Sequence, residues 1–309
     1  MEIFLQQVIN GLVLGSMYAL VALGYTMVYG ILNLINFAHG DVLMVGALTA
    51  YSTAHFIMKI APGLPGWLVL IVALIVAVVV CALVNYTIER VAYRPLRNAP
   101  RLAPLITAIG VSILLQVAAM LVWDRNLHVF PQLLPEQSLR FLGARITVTQ
   151  IMILGTTAVV LAGLMWLVHS TKLGRAMRAT AENPRVAGLM GVNPNTVISA
   201  TFVIGAALAA IAGVMWAMNY TTAQFAMGFM PGLKAFTAAV LGGIGNLAGA
   251  MVGGILLGLI EALGAGYIGP LTNNVLGSQY QDIFAFVVLI AVLTLRPSGL
   301  LGERVADRA

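Results

Sequence analysis

Residues 170–196 read STKLGRAMRATAENPRVAGLMGVNPNT and separate two runs that are almost entirely apolar. This polar segment holds four basic residues and one acid, in a chain that is 61% hydrophobic and only 8% charged. A segment so polar cannot lie in hydrocarbon, and Lys and Arg accumulate in the cytoplasmic loops of membrane proteins. The segment is therefore predicted to lie on the cytoplasmic face, between two membrane-spanning runs.

The composition of the whole chain indicates the fold class. A mean hydropathy of +0.98, with several apolar runs long enough to cross ~30 Å of hydrocarbon, is typical of a polytopic helical membrane protein. The runs are too long and continuous for transmembrane β-strands, which alternate over roughly 10 residues. The net charge of +6 lies mainly in short loops that meet lipid headgroups, so it does not indicate nucleic-acid binding. Residues 1–309 are predicted to form one all-α transmembrane domain.

About eight long spans are predicted. They cover residues 8–30, 36–58, 67–88, 104–123, 147–169, 197–219, 248–265 and 281–295. Basic clusters after the third span, after the fifth span and at the C-terminus place these three regions in the cytoplasm. An odd number of crossings must then lie between the external loop near 221–231 and the cytoplasmic C-terminus. Only two long spans are available there, so one crossing is missing.

The missing crossing is predicted at residues 233–247, LKAFTAAVLGGIGNL. Its reach of about 22 Å is short of the hydrocarbon core, and such an element is tolerated where protein or a water-filled cavity covers its backbone. We expect it at the centre of the bundle beside the translocation route; the alternative is a re-entrant loop with a packing role only. This topology puts the N-terminus outside. The loop at 124–146 is then external although it holds three arginines.

Polar and glycine residues at membrane depth are the candidates for the translocation pathway. An ionisable group there costs about 2.5–3.5 kcal/mol on insertion scales, so it faces a cavity or a partner. The polar break INFAHGD either lines the pathway as a broken helix or hydrogen-bonds neighbouring helices. Glu261 pairs with Lys234, supports helix packing or contacts the solute. The pathway candidates are Asn36, His39, Asp41, Gly242, Gly243 and Glu261.

A short capped helix is predicted within the cytoplasmic segment. An Asn-Pro pair begins it as N-cap and first-turn residue, and a glycine stands at its C-cap position. Val186, Leu189 and Met190 form one apolar face, and a helix of two turns needs a partner surface to be stable. This face docks a partner protein or folds back on the membrane domain. The docking residues are Asn183, Pro184, Arg185, Val186, Ala187, Leu189, Met190 and Gly191.

The sequence offers no catalytic or metal-binding residues. On a helix, His39 and Asp41 would point about 200° apart, and the chain has no HExxH, GxSxG or His/Cys cluster. It also has no GxxxxGK[ST] motif, so it cannot bind and hydrolyse ATP as a P-loop protein does. Uphill transport by this chain would need an ion gradient or a separate ATPase.

Several motifs in order resemble the permease subunits of branched-chain amino-acid ABC importers, LivH type. They are INFAHGD, ERVAYRPLR, TKLGRAMRATAENPRVAGLMGVNPNTV, TFVIGAALAAIAGVM and LKAFTAAVLGGIGNLAGAMVGGILLGLIEAL. The resemblance runs from about Phe4 to Gly302 and implies a location in the bacterial inner membrane. In such importers a cytoplasmic helix sits in a groove of the ATPase, and residues 183–191 match that position. Ala187 and Gly191 fit the general Ala-xxx-Gly coupling signature, whereas Arg185 stands where that signature has Glu.

The resemblance also implies partners and leaves the solute open. The partners are a LivM-like second permease subunit, two LivG/LivF-like ATPases that bind ATP and Mg²⁺, and a periplasmic substrate-binding protein. This chain itself is expected to hold no cofactor. Leucine, isoleucine and valine are the first solutes implied, with urea or short-chain amides as the alternative. A different class, an ion-coupled secondary transporter, would use Asp41 or Glu261 as its coupling carboxylate.

Overall fold

The computed structural model of the chain describes residues 2–32, 34–97, 99–100, 102–135, 137–141, 143–272 and 281–302. The predicted all-α polytopic class is confirmed. The helices are α1 Glu2–Leu32, α2 His39–Ile60, α3 Gly66–Ile88, α4 Leu102–Trp123, α5 Val148–Ser170, α6 Lys172–Glu182, α7 Pro184–Leu189, α8 Pro194–Tyr220, α9 Phe229–Gly242, α10 Leu247–Leu271 and α11 Gln281–Leu295. A π-helical turn, Glu89–Tyr93, and a 3₁₀ turn, Arg94–Leu96, continue α3.

Seven helices in the described ranges are long and apolar enough to cross a membrane. They correspond to the first seven predicted long spans. The eighth, 281–295, is present as the 15-residue helix α11. The predicted short crossing is the 14-residue helix α9, which begins four residues earlier than expected and ends at Gly242. The helix stops there because Gly243 and Gly245 take positive φ angles, +106° and +96°, that continue no right-handed helix.

The bundle has a central and a peripheral layer. In α1, 89% of the residues in the most apolar 18-residue stretch are buried. In α4 and in α5 the share is 22%, and most of their apolar side chains face the outside of the bundle. A helix that is apolar all round but mostly exposed is stable in lipid, so α3, α4 and α5 form the lipid-facing layer. Small residues bring the central helices close together: Gly254 and Gly258 of α10 contact the backbone of α1 at Ala19 and Gly15.

Two central helices are followed by similar interruptions inside the bundle. Residues 34–38 separate α1 from α2, and residues 221–228 separate α8 from α9. The motif Phe-Ala-x-Gly occurs in both, beginning five residues beyond the end of the preceding helix. The two glycines of these motifs, Gly40 and Gly228, pack backbone to backbone, and a Cβ built on Gly40 would lie 2.6 Å from the Gly228 carbonyl oxygen.

The units α1–α3 and α8–α10 therefore have the arrangement expected of inverted repeats. Their first helices are antiparallel, because Gly24 of α1 lies beside Gly205 of α8 while Tyr18, six residues earlier, lies beside Trp216. The contacts repeat as well: α1 packs on α10 as α8 packs on α3, and α2 packs on α8 as α9 packs on α1. Inverted repeats of this kind are common in transporters and place their interrupted helices near the membrane midplane.

The two ends of the bundle carry different caps. At one end, the Gln6 amide donates to the Arg145 carbonyl at 3.0 Å and accepts from the Arg145 N–H at 2.8 Å. Arg145 belongs to a hairpin of β2 Ser138–Phe141 and β3 Ala144–Thr147, and a second small ladder pairs β1 His128–Val129 with β4 Thr222–Ala223. At the other end, the Leu300 N–H donates to the Leu241 carbonyl beside the α9–α10 turn. The start of α1 and residues 299–302 thus lie at opposite ends, as an odd number of crossings requires.

Candidate translocation and coupling sites

The polar break before α2 is buried against its neighbours. Asn36 is 2% exposed, and its Oδ1 accepts from the Tyr93 hydroxyl at 2.8 Å. Tyr93 lies in the π-helical turn that follows α3, so this bond fixes the break to the far end of another helix. Asn36 therefore hydrogen-bonds a neighbouring element, which is one of the two alternatives predicted for INFAHGD.

His39 and Asp41 point to different neighbours, as their spacing on a helix predicts. The His39 ring lies edge-on to Tyr25, with centroids 4.9 Å apart, and occupies the space left by Gly24. A Cβ on Gly24 would come within 2.6 Å of the His39 Cε1. Asp41 accepts from the Gln116 amide of α4 at 3.0 Å. Both residues are 1% exposed, so they join α1, α2 and α4 rather than act as one pair.

A charged cluster joins four helices at membrane depth. Lys234 of α9 forms an ion pair with Glu261 of α10, as one of the predicted alternatives has it. The same ammonium lies 2.6 Å from Asp282 of α11. The second oxygen of Glu261 accepts from the Tyr18 hydroxyl of α1 at 3.0 Å. Lys234 is 6% exposed and Glu261 is 2% exposed. Their pairing offsets the free-energy cost of burying each charge away from water.

Gly242 and Gly243 lie where the backbone of three segments meets. A Cβ on Gly242 would contact the backbone of Gly249 and Ala250, at the start of α10. A Cβ on Gly243 would lie 2.6 Å from the Cα of Gly302 in the C-terminal segment. Both positions therefore serve close backbone packing in this structure, and bulk there meets protein rather than open space.

The polar segment 170–196 contains two helices, α6 and α7, where the sequence predicted one. The first, α6, is capped by Thr171, whose hydroxyl accepts from the Gly174 N–H at 3.1 Å. The second, α7, has the predicted Asn183 cap, which accepts from two backbone N–H groups at 3.0 and 3.1 Å. Gly191 follows with φ +83°, the left-handed C-terminal conformation that the sequence indicated.

The apolar face of α7 points away from the rest of the chain. Leu189 is 86% exposed, Met190 80% and Val186 53%, whereas Ala187 on the opposite side is 4% exposed. The structure therefore does not have the alternative arrangement, in which this apolar face folds back on the membrane domain. Exposed adjacent large apolar side chains on a protein surface indicate a contact with another molecule.

A second buried ion pair was missed by sequence reasoning. Glu89, at the end of α3, is 0% exposed and pairs with Arg97. It also accepts from the Ser199 hydroxyl of α8 at 2.7 Å, and Arg97 donates to Asn195 of the same helix. The available signal was an acid directly after an apolar run, with Arg97 eight positions later in ERVAYRPLR. The cluster holds the α3–α4 loop against the first turns of α8, just after α7.

Comparison with known proteins assigns the family. The family described as "Branched-chain amino acid transport system / permease component" matches residues 7–293. The chain is 48% identical to the high-affinity branched-chain amino acid transport system permease protein BraD of Pseudomonas aeruginosa, over 97% of this chain and 96% of BraD. It is 44% identical to LivH of Escherichia coli K12, named in the same words, over 97% and 96%. A shorter match, 30% identical over 44% of this chain and 40% of the relative, is the autoinducer 2 import system permease protein LsrC of Escherichia coli.

These matches agree with the polytopic helical fold. The LivH-type resemblance drawn from the sequence is confirmed, and the chain acts as a permease component rather than as an enzyme. By a family match that spans almost its whole length, this chain belongs to the permease components of branched-chain amino acid transport systems.

Proposed function

We propose that this chain provides part of the transmembrane route for leucine, isoleucine and valine in an ATP-driven importer. The substrate assignment rests on near full-length similarity to two permeases named for high-affinity branched-chain amino acid transport, at 48% and 44% identity. The similarity to LsrC covers less than half of the chain, and LsrC is named for import of a different solute, autoinducer 2. A shared fold alone therefore does not identify the substrate.

The proposed complex contains a LivM-like second permease, two LivG/LivF-like ATPases and a periplasmic binding protein. ATP and Mg²⁺ bind to the ATPases, and no cofactor is assigned to this chain. The complex lies in the bacterial inner membrane. The absence of a GxxxxGK[ST] motif and the exposed α7 face support an external source of energy.

The proposed route passes beside the interrupted helices. Asn36, His39, Asp41 and Glu261 fix the starts of α2 and α9 to their neighbours, and Gly242 and Gly243 end α9. In this proposal they position the two half-helices beside the route, and none of them needs to contact the solute. Burial of all four polar side chains supports this positioning role.

The proposed coupling element is α7 with its flanking residues 183–191. Val186, Leu189 and Met190 insert into the ATPase, and Arg175 and Arg185 of the exposed rim face acidic groups on that partner. The external end of the bundle is then the end with the β2–β3 hairpin, and the end with α6 and α7 is cytoplasmic. The charge of the cytoplasmic segment supports this orientation.

Reconstitution of the purified complex in proteoliposomes tests the proposal. We expect leucine with its binding protein to stimulate ATP hydrolysis and leucine uptake. Urea or acetamide, each with a binding protein of its own, serves as the matched control and should do neither. Stimulation by urea alone would assign the chain to the other importer group. Uptake by this chain without the ATPases, driven by a proton or sodium gradient, would contradict the ATP-driven mechanism.

A further inference from the structure

A partly open cavity of about 610 Å³ lies at the proposed cytoplasmic end. Its walls come from the last turns of α1 and α5, from α6, and from the turn that leads into α10. Ligand pockets commonly measure roughly 300–1,000 Å³, whereas a water molecule occupies about 30 Å³. The cavity therefore has room for an organic ligand.

One wall of the cavity carries the groups that bind anions. The Arg178 guanidinium donates through Nη1 to the Val168 carbonyl, which holds it at the C-terminal end of α5. That bond uses one of the five N–H donors of the guanidinium, and none of the ion pairs in the described residues includes Arg178. His169 lies beside it and uses Nδ1 for the Met165 carbonyl at 2.9 Å.

Another part of the cavity lining is a helix N-terminus. Asn246 caps α10 by accepting from the Gly249 N–H at 3.1 Å, and the residues that begin this helix, Leu247 and Ala248, line the cavity. The N-terminal N–H groups and the helix dipole favour a negative charge at this position. Arg178 and the start of α10 thus face the same space with positive potential.

A buried polar group without a partner also lines the cavity. The Thr26 hydroxyl of α1 is buried, and no hydrogen-bond partner for it exists among the described residues. A threonine in a helix commonly bonds the carbonyl of the preceding turn, and an unpaired buried hydroxyl costs free energy. Thr26 thus places an unpaired buried hydroxyl in a residue of the cavity wall.

The rest of the lining is apolar and adaptable. Met27 and Ile31 of α1, Met165 of α5 and Met177 of α6 supply most of it. Methionine is unbranched and polarisable, and it fits apolar ligands of varied shape. The cavity therefore combines an anion-binding wall with an apolar one.

We propose that this cavity binds an amphiphile with one carboxylate or phosphate group and an aliphatic body. The anion lies between Arg178 and the start of α10, and the aliphatic part lies among the methionines. Two sources supply this chemistry: an anionic phospholipid of the inner leaflet, or a free branched-chain amino acid on the cytoplasmic side. The second source rests on the proposed function, whereas the first does not. In either case the ligand ties α6, and through it the coupling helix α7, to the membrane domain.

Binding to the delipidated complex, purified with its partner subunits, tests the proposal without a transport assay. The lipid arm measures retention of phosphatidylglycerol against diacylglycerol, which has the same acyl chains without the phosphate, by native mass spectrometry. The solute arm measures the rise in melting temperature with L-leucine against isoamylamine, which has the same aliphatic body without the carboxylate. We expect phosphatidylglycerol or L-leucine to bind. Diacylglycerol, which is uncharged, and isoamylamine, which is cationic, should not bind.

Two variants and a matched control locate the binding. Arg178→Gln should weaken binding by about tenfold or more, since it removes a charge-assisted hydrogen bond. Ala181→Trp fills the cavity from α6 and should abolish binding while Arg178 is retained. Lys172→Gln is the control, because Lys172 is a basic residue on the same helix that does not line the cavity. Binding of neither ligand, or binding that both cavity variants leave intact, would overturn the proposal, and such a result would leave leucine-stimulated ATP hydrolysis by the complex unaffected.

Discussion

The Lys234 ammonium of α9 lies 2.6 Å from the Asp282 carboxylate of α11, although these residues belong to the two shortest membrane helices in the described chain. Glu261 of α10 pairs with the same ammonium. Each of these short helices is therefore held in the bundle by charge as well as by packing. Lys234 is the only member of the cluster that touches both carboxylates.

The first prediction concerns the removal of that shared cation. Lys234→Met leaves the buried Glu261 carboxylate and the partly exposed Asp282 carboxylate without their cation. Loss of one partner of a buried ion pair costs about 3–5 kcal/mol. We expect a large drop in the melting temperature of the purified complex. Glu261→Gln should cost less, because Asp282 still pairs with Lys234.

The double variant Lys234→Met/Glu261→Gln is the control for this interpretation. It removes one buried negative charge together with the cation, so it should be more stable than Lys234→Met alone. A double variant no more stable than the single one would show that Lys234 acts through packing rather than charge.

A second prediction concerns the close approach of α9 and α10. Gly242→Ala places a methyl group against the backbone of Gly249, and overpacking of this kind costs about 1–3 kcal/mol. We expect a lower melting temperature and less assembled complex. Gly163→Ala on lipid-facing α5 is the matched control, because nothing lies within 4 Å of a Cβ there. Equal stability of the two variants would contradict the close packing of α9 on α10.

The third prediction concerns coupling. Leu189→Asp puts a charge at the centre of the exposed α7 face, and a charge buried without a partner at an interface costs several kcal/mol. The variant should reach the membrane at normal levels and lose its ATPase during purification. Ala179→Asp on α6 adds the same charge away from this face and should retain the ATPase. Normal retention and solute-stimulated hydrolysis with Leu189→Asp would exclude α7 as the docking element.

The fourth prediction concerns orientation. In a background with Cys81→Ala, single cysteines at Glu2 and Gln132 should react with an impermeant maleimide in spheroplasts, whereas a cysteine at Met190 should react after lysis. The first two positions lie at the hairpin end of the bundle, and Met190 is 80% exposed at the other. A protected Glu2 position would mean that the number of crossings before α3 is wrong.

Local sequence patterns were sufficient for much of this fold. Length and apolar continuity located the spans, and the Asn-Pro and glycine signals of residues 183–191 located α7 with its caps. Charge parity required the short crossing that the structure has as α9. These features depend on residues that are close together along the chain, so composition and spacing contain the information.

Local sequence patterns could not predict the contacts between segments that are distant along the chain. Tyr18 and Asp282 join the Lys234 cluster from opposite ends of the chain, and no local motif marks a tyrosine in α1 as the partner of an acid in α10. The packing of Gly40 on Gly228 was missed because a glycine in an apolar run is compatible with many neighbours. The same limitation hid the cavity beside Arg178, which four separate segments enclose.

The position of Lys234 along the chain also constrains how the protein is made. This residue emerges from the ribosome before both of its carboxylate partners, and an unpaired lysine at the centre of a membrane helix costs about 2.5–3.5 kcal/mol on insertion scales. A helix of 14 residues offers little apolar surface to offset that cost. We therefore expect stable integration of α9 to depend on the synthesis of Glu261 and Asp282, so that the last three membrane helices enter the bilayer together.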